Sequence, residues 1–214
     1  MDKLLNLIFT QKCMFCKSGK SLFCEQCLCT CPVPENNNYG LYIRSLKRKV
    51  NAFSTYDYDG SVRVCIKESK YGPKQFAALK ILAYKGAVNL QTSHKFYEHF
   101  TAVPVPLNKR KFRSRGFNQA EIIAKIVSSK CGIPHNPELL KRSKETDVQY
   151  KHGRLARYEN VSGAFAAEPA QIKGMRILLV DDICTSGATF TEAAKTLYEA
   201  GADSVRCYSL SRRV

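Results

Sequence analysis

Two adjacent carboxylates followed by a small, hydroxyl-rich loop form the segment of this sequence best suited to chemistry. The continuous apolar run at residues 177–180 predicts a strand buried on both faces, and Asp181 and Asp182 follow it directly. In open α/β sheets, ligands bind at the carboxyl edge of the strands. We therefore expect these two acids to face a ligand.

The loop after the acids has the composition of a phosphate-binding turn. Its backbone N–H groups and the start of the following helix would attract an anion, and Gly187 lets the backbone approach that anion closely. Two carboxylates beside a phosphate suit the hydroxyl groups of a ribose one sugar-length away. The segment is therefore consistent with a ribose 5-phosphate site formed by Asp181, Asp182, Ile183, Cys184, Thr185, Ser186, Gly187, Ala188 and Thr189.

Three other interpretations of this segment fit less well. The metal-binding strand of a P-loop NTPase would require a G-x-x-x-x-G-K-[ST] sequence, which the chain lacks. A phospho-receiver domain would require far more chain after the acids than the 32 residues that remain. An ordinary strand end with exposed acids is the third interpretation, and it explains neither the hydroxyl groups nor the glycine that follow.

A second candidate site is the strongly basic stretch 109–115, which we predict to be a loop. Side chains of this charge and density could clamp a diphosphate or follow a nucleic-acid backbone, although a solvated surface loop has the same composition. Gly116 would allow a sharp turn into a helix that starts near Asn118. The basic residues are Lys109, Arg110, Lys111, Arg113 and Arg115.

The N-terminal region contains six of the ten cysteines. No secretion signal is recognisable, so a metal site in a reducing compartment is favoured over a disulfide framework. Two C-x-x-C pairs can present four sulfurs to one tetrahedral ion, and such a site is structural because it leaves no open position. We expect zinc on Cys13, Cys16, Cys24 and Cys27, with Cys29 or Cys31 as alternatives to Cys27 and iron as the alternative metal.

The elements that must position these residues alternate between strands and helices. Hydrophobic spacing predicts helices at 74–84, 118–128 and 188–200, the last capped by Gly201, and strands at 51–56, 100–105, 177–180 and 204–210. Residues 62–66 are predicted to be extended or mixed. This order favours parallel βαβ units and an α/β fold. The Pro- and Asn-rich stretch 32–40 predicts a linker between a cysteine-rich module, 1–40, and a larger domain, 41–214.

The bulk composition favours an anionic partner. The chain of 214 residues has 34 basic and 18 acidic residues, a formal charge of +16 that would attract nucleic acid, acidic lipid or phosphorylated metabolites. A basic, soluble surface is the plainer alternative. No stretch approaches the ~18–20 apolar residues of a membrane span, and the first residues do not form a signal peptide. We therefore expect a cytoplasmic protein.

The string V-P-V-P begins at Val103 and is followed, after eight residues, by R-G-F-N-Q from Arg115. This combined string resembles the ComF family. The segment 177–189 is similar to the phosphoribosyl diphosphate (PRPP) motif of type I phosphoribosyltransferases. The cysteine pairs agree with the ComF pattern, and so do Lys70-Tyr71, Gln149 and the string Arg157-x-x-Asn160-Val161-x-Gly163-Ala164-Phe165.

The resemblance implies a type I phosphoribosyltransferase-like parallel sheet flanked by helices, with a small N-terminal zinc-binding module. It implies that Asp181 and Asp182 contact ribose hydroxyls, and that Lys70 and Tyr71 belong to a PRPP site that also takes Mg²⁺. It further implies a role in natural transformation, in which the protein handles incoming single-stranded DNA near the uptake machinery. A ComFA-like helicase is the expected partner.

Two functions stay open on the sequence alone. One is a Mg²⁺-dependent phosphoribosyltransferase, a glycosyltransferase in which a nucleophile displaces diphosphate at C1 of the ribose. The other is a non-catalytic module that uses the same fold to bind single-stranded DNA or a partner protein. For the second function, Phe112, Phe117 and Tyr150 are candidates to stack on bases. No histidine lies in a recognisable catalytic setting.

Overall fold

A computed structural model describes residues 12–18, 21–70, 73–93, 97–143, 158–159 and 161–213. Its main sheet has the order β1-β2-β7-β6-β3, in which β1 is an antiparallel edge strand and the other neighbours run parallel. A separate antiparallel pair joins β4 to β5. The strands are β1 (Asn38–Ile43), β2 (Arg48–Asp57), β3 (Phe100–Pro104), β4 (Lys141–Arg142), β5 (Phe165–Ala166), β6 (Arg176–Cys184) and β7 (Ser204–Arg212).

Helices cover both faces of this sheet. The helices are α1 (Glu25–Cys29), α2 (Gly60–Glu68), α3 (Pro73–Ser93), α4 (Lys109–Arg115), α5 (Gln119–Cys131), α6 (Pro169–Ile172) and α7 (Ala188–Glu199). Leu178 and Val180 of β6 pack in the core with α2, α3 and α5, whereas Ile177 and Leu179 pack with α7. The side chains of the continuous apolar run thus pack into two hydrophobic cores, one on each face of the sheet. The predicted α/β fold is confirmed.

The structure extends most predicted elements and corrects two of them. The predicted helices at 74–84, 118–128 and 188–200 correspond to α3, α5 and α7, and the four predicted strands to β2, β3, β6 and β7. Residues 62–66 are helical rather than extended, because Val62, Cys65 and Ile66 are buried on one face of α2. The stretch 109–115 is the helix α4 rather than a loop. Asn108 caps its first turn by accepting a hydrogen bond from Arg110 N–H, and Gly116, at φ 76°, ends it.

The cysteine-rich segment packs on the same core as the sheet. Phe23 and Leu28 are buried in one cluster with Tyr56, Val62 and Ile66. Strand β1 begins at Asn38, within the predicted linker. The division of the chain at residue 40 stays a prediction. Within the described ranges, no helix is both long enough and apolar enough to cross a membrane.

Candidate functional site

Strand β6 places the acidic pair at the carboxyl edge of the sheet. The strand is longer than predicted and continues through Asp181 and Asp182 to Cys184. Its pairing with β7 continues as well, with Asp181 opposite Ser209 and Cys184 opposite Arg212. Both acids are half-buried. Because they lie within a paired strand, their positions are fixed by the backbone of the sheet.

The carboxyl group of Asp181 is difficult to ionise in the ligand-free protein. Burial raises its pKa well above the usual value, and the neighbouring charge of Asp182 acts in the same direction. The Asp182 N–H group, which donates to Asp181 Oδ1 at 2.8 Å, and the ammonium of Lys70 oppose this shift. An enclosed carboxylate of this kind is stabilised by a donor such as a sugar hydroxyl or by a cation.

The loop between β6 and α7 is held in shape from outside. Gly187 has a φ of 77°, and a Cβ at this position would lie 2.5 Å from Leu41 Cδ2 of strand β1. Tyr158 Oη donates a hydrogen bond to the Ser186 carbonyl at 2.9 Å. Among the described residues, the N–H groups of Thr185 and Ser186 have no acceptor. These amides and the start of α7 could therefore bind an anion.

Three cations from separate segments act on the acidic pair. Lys70 follows α2 and lowers the pKa of Asp181. Burial and three neighbouring cations lower the pKa of Lys111 on α4, while the charge of Asp182 raises it. Burial also lowers the pKa of Arg142 in β4, and Asp181 opposes that shift. Sequence reasoning selected Lys70 and Lys111 for the diphosphate, and it selected Arg142 only as one of the basic residues that could follow a DNA backbone.

A cleft of about 830 Å³, called the basic cleft below, opens at the carboxyl ends of β2 and β7. Lys70 lines this cleft and also acts on Asp181, so the cleft adjoins the acidic pair. Six lining residues are cationic and two are carboxylates. The lining residues are Asp57, Tyr58, Asp59, Arg63, Lys67, Lys70, Arg115, Arg212 and Arg213.

The five basic residues of the predicted loop do not act as one group. Arg115 lines the basic cleft, and Lys111 is close enough to Asp182 for their charges to interact. The other three, Lys109, Arg110 and Arg113, are exposed on α4, as is Lys111. What distinguishes Lys111 and Arg115 is that the first interacts with the charge of Asp182 and the second lines the cleft.

The R-G-F-N-Q string is a scaffold for the basic cleft. Gln119 is buried, and its Nε2 donates to the Ile66 carbonyl at 3.0 Å and to Ser69 Oγ at 2.6 Å. Arg115 Nη1 donates to Gln119 Oε1 at 3.4 Å. Gln119 thus connects the end of α2, just before Lys70, to Arg115 of α4. Its buried amide fixes two cation-bearing segments relative to each other.

The other residues of this string shape the backbone. Asn118 caps α5 by accepting from Ala120 N–H at 3.2 Å, and its Nδ2 donates to the Val105 carbonyl at 3.0 Å. Phe117 packs edge-on against Phe76, with ring centroids 4.7 Å apart. Of the candidates for base stacking, Phe112 is 47% exposed. Tyr150 lies outside the described residues, and so do four residues of the motifs, namely Tyr71, Gln149, Arg157 and Asn160.

Four cysteines of the N-terminal segment form a group that could hold a metal such as zinc. The Sγ atoms of Cys13, Cys16, Cys24 and Cys27 all lie within 4.8 Å of one another. The Cys16 and Cys24 sulfurs are 3.6 Å apart, close to the ~3.8 Å expected for two thiolates on one tetrahedral zinc ion. The chemistry and spacing of the donors therefore fit zinc.

The two other cysteines of this segment lie outside the group. Cys31 Sγ is 3.4 Å from Ser61 Oγ, and Cys29 Sγ is 3.9 Å from Glu25 Oε1. Neither replaces Cys27 in the four-sulfur arrangement. This geometry favours Cys27 over Cys29 and Cys31 as the fourth ligand, and zinc in preference to iron stays a prediction.

Residues 114–213 match the family model for the phosphoribosyl transferase domain. Competence protein F of Haemophilus influenzae is 29% identical over 133 residues, which are 61% of this chain and 58% of that protein. Competence protein ComFC of Bacillus subtilis is 32% identical over 162 residues, 74% of this chain and 63% of that protein. DNA utilization protein YhgH of Escherichia coli is 32% identical over 110 residues, 51% and 48% of the two chains. The chain thus spans between about half and 63% of the length of these relatives.

Proposed function

We propose that this chain binds PRPP and acts in DNA uptake, because residues 114–213 match the phosphoribosyl transferase domain model and because the chain is similar to competence proteins F and ComFC. One observation carries the PRPP proposal. Strand β6 presents two carboxylates at the sheet edge and leads through a loop with open N–H groups into α7, while the basic cleft lies beside the acids. The names of the relatives, competence protein and DNA utilization protein, support the DNA-uptake role.

Each part of PRPP has a matching group in this arrangement. The 5-phosphate would accept from the N–H groups of Thr185 and Ser186 and from the hydroxyl of Thr189. Asp181 and Asp182 would accept hydrogen bonds from the ribose hydroxyls. Lys70, with Tyr71, would bind the diphosphate. Mg²⁺, which prefers oxygen ligands, would neutralise charge where diphosphate and ribose oxygens meet.

The same arrangement supports phosphoribosyl transfer. A nucleophile on an acceptor would form a bond to C1 of the ribose while the bond from C1 to the diphosphate oxygen breaks. The electron pair leaves with the diphosphate, and the proton of the nucleophile passes to solvent. Lys70 and Lys111 would stabilise the leaving diphosphate.

A non-catalytic function in DNA binding is the second candidate, favoured by the exposed cations Lys109, Arg110 and Arg113 on α4. These side chains could follow the phosphates of a single strand beside the PRPP site. With either function, we place the protein in the cytoplasm at the DNA-uptake machinery, with a ComFA-like helicase as partner and zinc stabilising the N-terminal segment.

Calorimetric titration of PRPP, with and without Mg²⁺, tests the PRPP site. We expect metal-dependent binding in the wild type and an affinity at least about tenfold lower in Asp181→Asn/Asp182→Asn, because both ribose contacts are weakened. The matched control is Glu199→Gln/Asp203→Asn, which removes two exposed carboxylates near the opposite edge of the sheet. Absence of binding to a folded, zinc-loaded wild type would contradict the PRPP site and favour the DNA-binding function.

A further inference from the structure

The basic cleft contains more positive charge than its own carboxylates balance. Six of its lining side chains are cations, whereas only Asp57 and Asp59 are acidic. In the described part of the chain, none of the six cations lies within ion-pair distance of a carboxylate. Like charges gathered without counterions repel one another. The cleft is therefore arranged for an anion that comes from outside the chain.

PRPP accounts for only part of this charge. Lys70 and Arg115 belong to the segments beside the acidic pair, where the diphosphate would bind. Arg63 and Lys67 lie four residues apart on the exposed face of α2, so their side chains are neighbours. Arg212, together with the next residue, comes from the end of β7. None of these further cations is among the charges that shift the pKa of Asp181.

Arg212 is held in place with a buried donor that lacks an acceptor. Its Cζ lies 5.0 Å from the centroid of the Tyr39 ring. A hydrogen bond of 2.8 Å between Tyr39 Oη and Ser54 Oγ holds this ring in position. Among the described residues, Arg212 Nε and the adjacent Ser211 Oγ are buried and have no hydrogen-bond partner. Leaving such a donor unsatisfied is unfavourable, and Arg212 lines the cleft at this cost.

We propose that the basic cleft binds the phosphate monoester of a second ligand at the same time as PRPP, through Arg63, Lys67 and Arg212. The proposal that both ligands bind together rests on the proposed PRPP site. The cleft volume of about 830 Å³ lies near the upper end of the ~300–1,000 Å³ typical of ligand sites, which leaves room for two charged groups. A nucleoside 5′-monophosphate and the 5′-phosphorylated end of a DNA strand both carry this monoester.

Calorimetric titration of adenosine 5′-monophosphate (AMP) into protein saturated with PRPP and Mg²⁺ tests the proposal. In Arg63→Gln/Lys67→Gln we expect the affinity for AMP to fall about tenfold or more, with the affinity for PRPP changed by less than about twofold. Both side chains are exposed, so the variant should fold normally, which thermal unfolding checks. Lys173→Gln/Arg176→Gln removes the same charge from the opposite edge of the sheet and should behave as wild type.

A pair of short oligonucleotides identifies the source of the monoester. If a 5′-phosphorylated strand binds more than about tenfold tighter than both its unphosphorylated form and AMP, the ligand is a strand end; equal affinity for AMP indicates a mononucleotide. Simultaneous binding supports the proposal in either case. Displacement of AMP by PRPP would overturn it while leaving the PRPP site intact, and so would failure of both AMP and the phosphorylated strand to bind. Cleft-dependent AMP binding without any PRPP binding would instead contradict the PRPP site, and with it simultaneous binding, while supporting the monoester site.

Discussion

At the scale of single residues, the burial that prepares Asp181 for ligand binding lowers the stability of the ligand-free protein at neutral pH. Its folded-state pKa is raised by burial, while an unfolded chain gives the carboxyl a pKa of ~3.9. The folded protein therefore holds the proton more tightly than the unfolded chain does. At a pH below its pKa in the unfolded chain, the Asp181 carboxyl does not disfavour folding. As the pH rises from that value towards the higher pKa of the folded protein, the free energy of unfolding falls.

Asp181→Asn should therefore stabilise the ligand-free protein at neutral pH. We expect the free energy of unfolding to rise by ~1–2 kcal/mol at pH 7 and the gain to approach zero near pH 4, because the penalty of burying the ionised group disappears. Urea denaturation across this pH range measures the effect. Asp203→Asn, at an exposed carboxylate, should show no such gain. A gain independent of pH would show that ionisation of Asp181 is not its cause.

The group of four thiols leads to a prediction about the zinc content of the protein. Burial raises the pKa of Cys13, but hydrogen bonds from the backbone N–H groups of Cys24 and Cys16 outweigh it and lower the pKa to about 6. Cys16→Ser removes one of the four proposed zinc ligands, so we expect zinc, measured by elemental analysis, to fall from one ion per chain to well under half. Because Phe23 packs on the main core, the thermal midpoint should fall too.

Cys29→Ser is the matched control for this metal measurement, since Cys29 lies in the same segment outside the four-sulfur group. It should retain the full zinc content and the wild-type thermal midpoint. Equal loss of zinc in both variants would contradict the assignment of Cys13, Cys16, Cys24 and Cys27 as the ligands.

At the scale of elements, Gln119 couples α2 to α4 and α5. Gln119→Leu keeps a similar volume but removes the donor to Ser69 Oγ and leaves the Ile66 carbonyl with only the hydrogen bond from Ser69 Oγ, so we expect a loss of ~1–3 kcal/mol in the free energy of unfolding. PRPP affinity should fall as well, since the same bonds hold the end of α2 beside Lys70. Urea denaturation and calorimetry give the two quantities. Gln171→Leu, on the exposed face of α6, should change neither, and unchanged PRPP affinity in Gln119→Leu would contradict this coupling.

The sequence could predict those helices and strands whose hydrophobic pattern is compatible with only one type of secondary structure. The apolar run before Asp181 predicted a buried strand, and hydrophobic spacing predicted the helix after Gly187. Residues 62–66 were misread because Val62, Val64 and Ile66 alternate as in a strand, whereas burial of Cys65 completes the helical face. Packing against α3 decided between the two patterns, and packing is not visible in a single segment.

The basic cleft could not be predicted for a related reason. Arg63 and Lys67 have the spacing of an ordinary solvent-facing helix surface, and Arg212 follows an apolar strand. Only the parallel sheet brings the ends of β2 and β7 together. The pair Arg212-Arg213, placed directly after the last apolar run, was the one available signal, and it gains meaning once the order of the strands is known.

At the scale of the whole molecule, the charge of +16 predicts salt-dependent binding to DNA. Neutralising phosphates of a single strand releases counterions, with a slope of about −0.7 per contact in a plot of log affinity against log salt. Arg110→Gln/Arg113→Gln should weaken the affinity and reduce this slope by about 1.4, since two exposed contacts are lost. Fluorescence anisotropy of a labelled oligothymidine at several salt concentrations measures both quantities.

Asp181→Asn is the control for this measurement, because it changes the PRPP site without removing a cation. Its affinity for the oligothymidine should stay close to that of the wild type. An unchanged slope in Arg110→Gln/Arg113→Gln would show that the exposed face of α4 does not contact DNA.

The contact between Leu41 and Gly187 ties the outermost strand to the phosphate loop. A larger side chain at position 41 would press on the loop, and any side chain at position 187 would meet Leu41. Edge strands ordinarily tolerate substitution, so their sequences drift quickly between species. Here natural selection for ligand binding should also act on β1, and position 41 should evolve as slowly as the acids on β6.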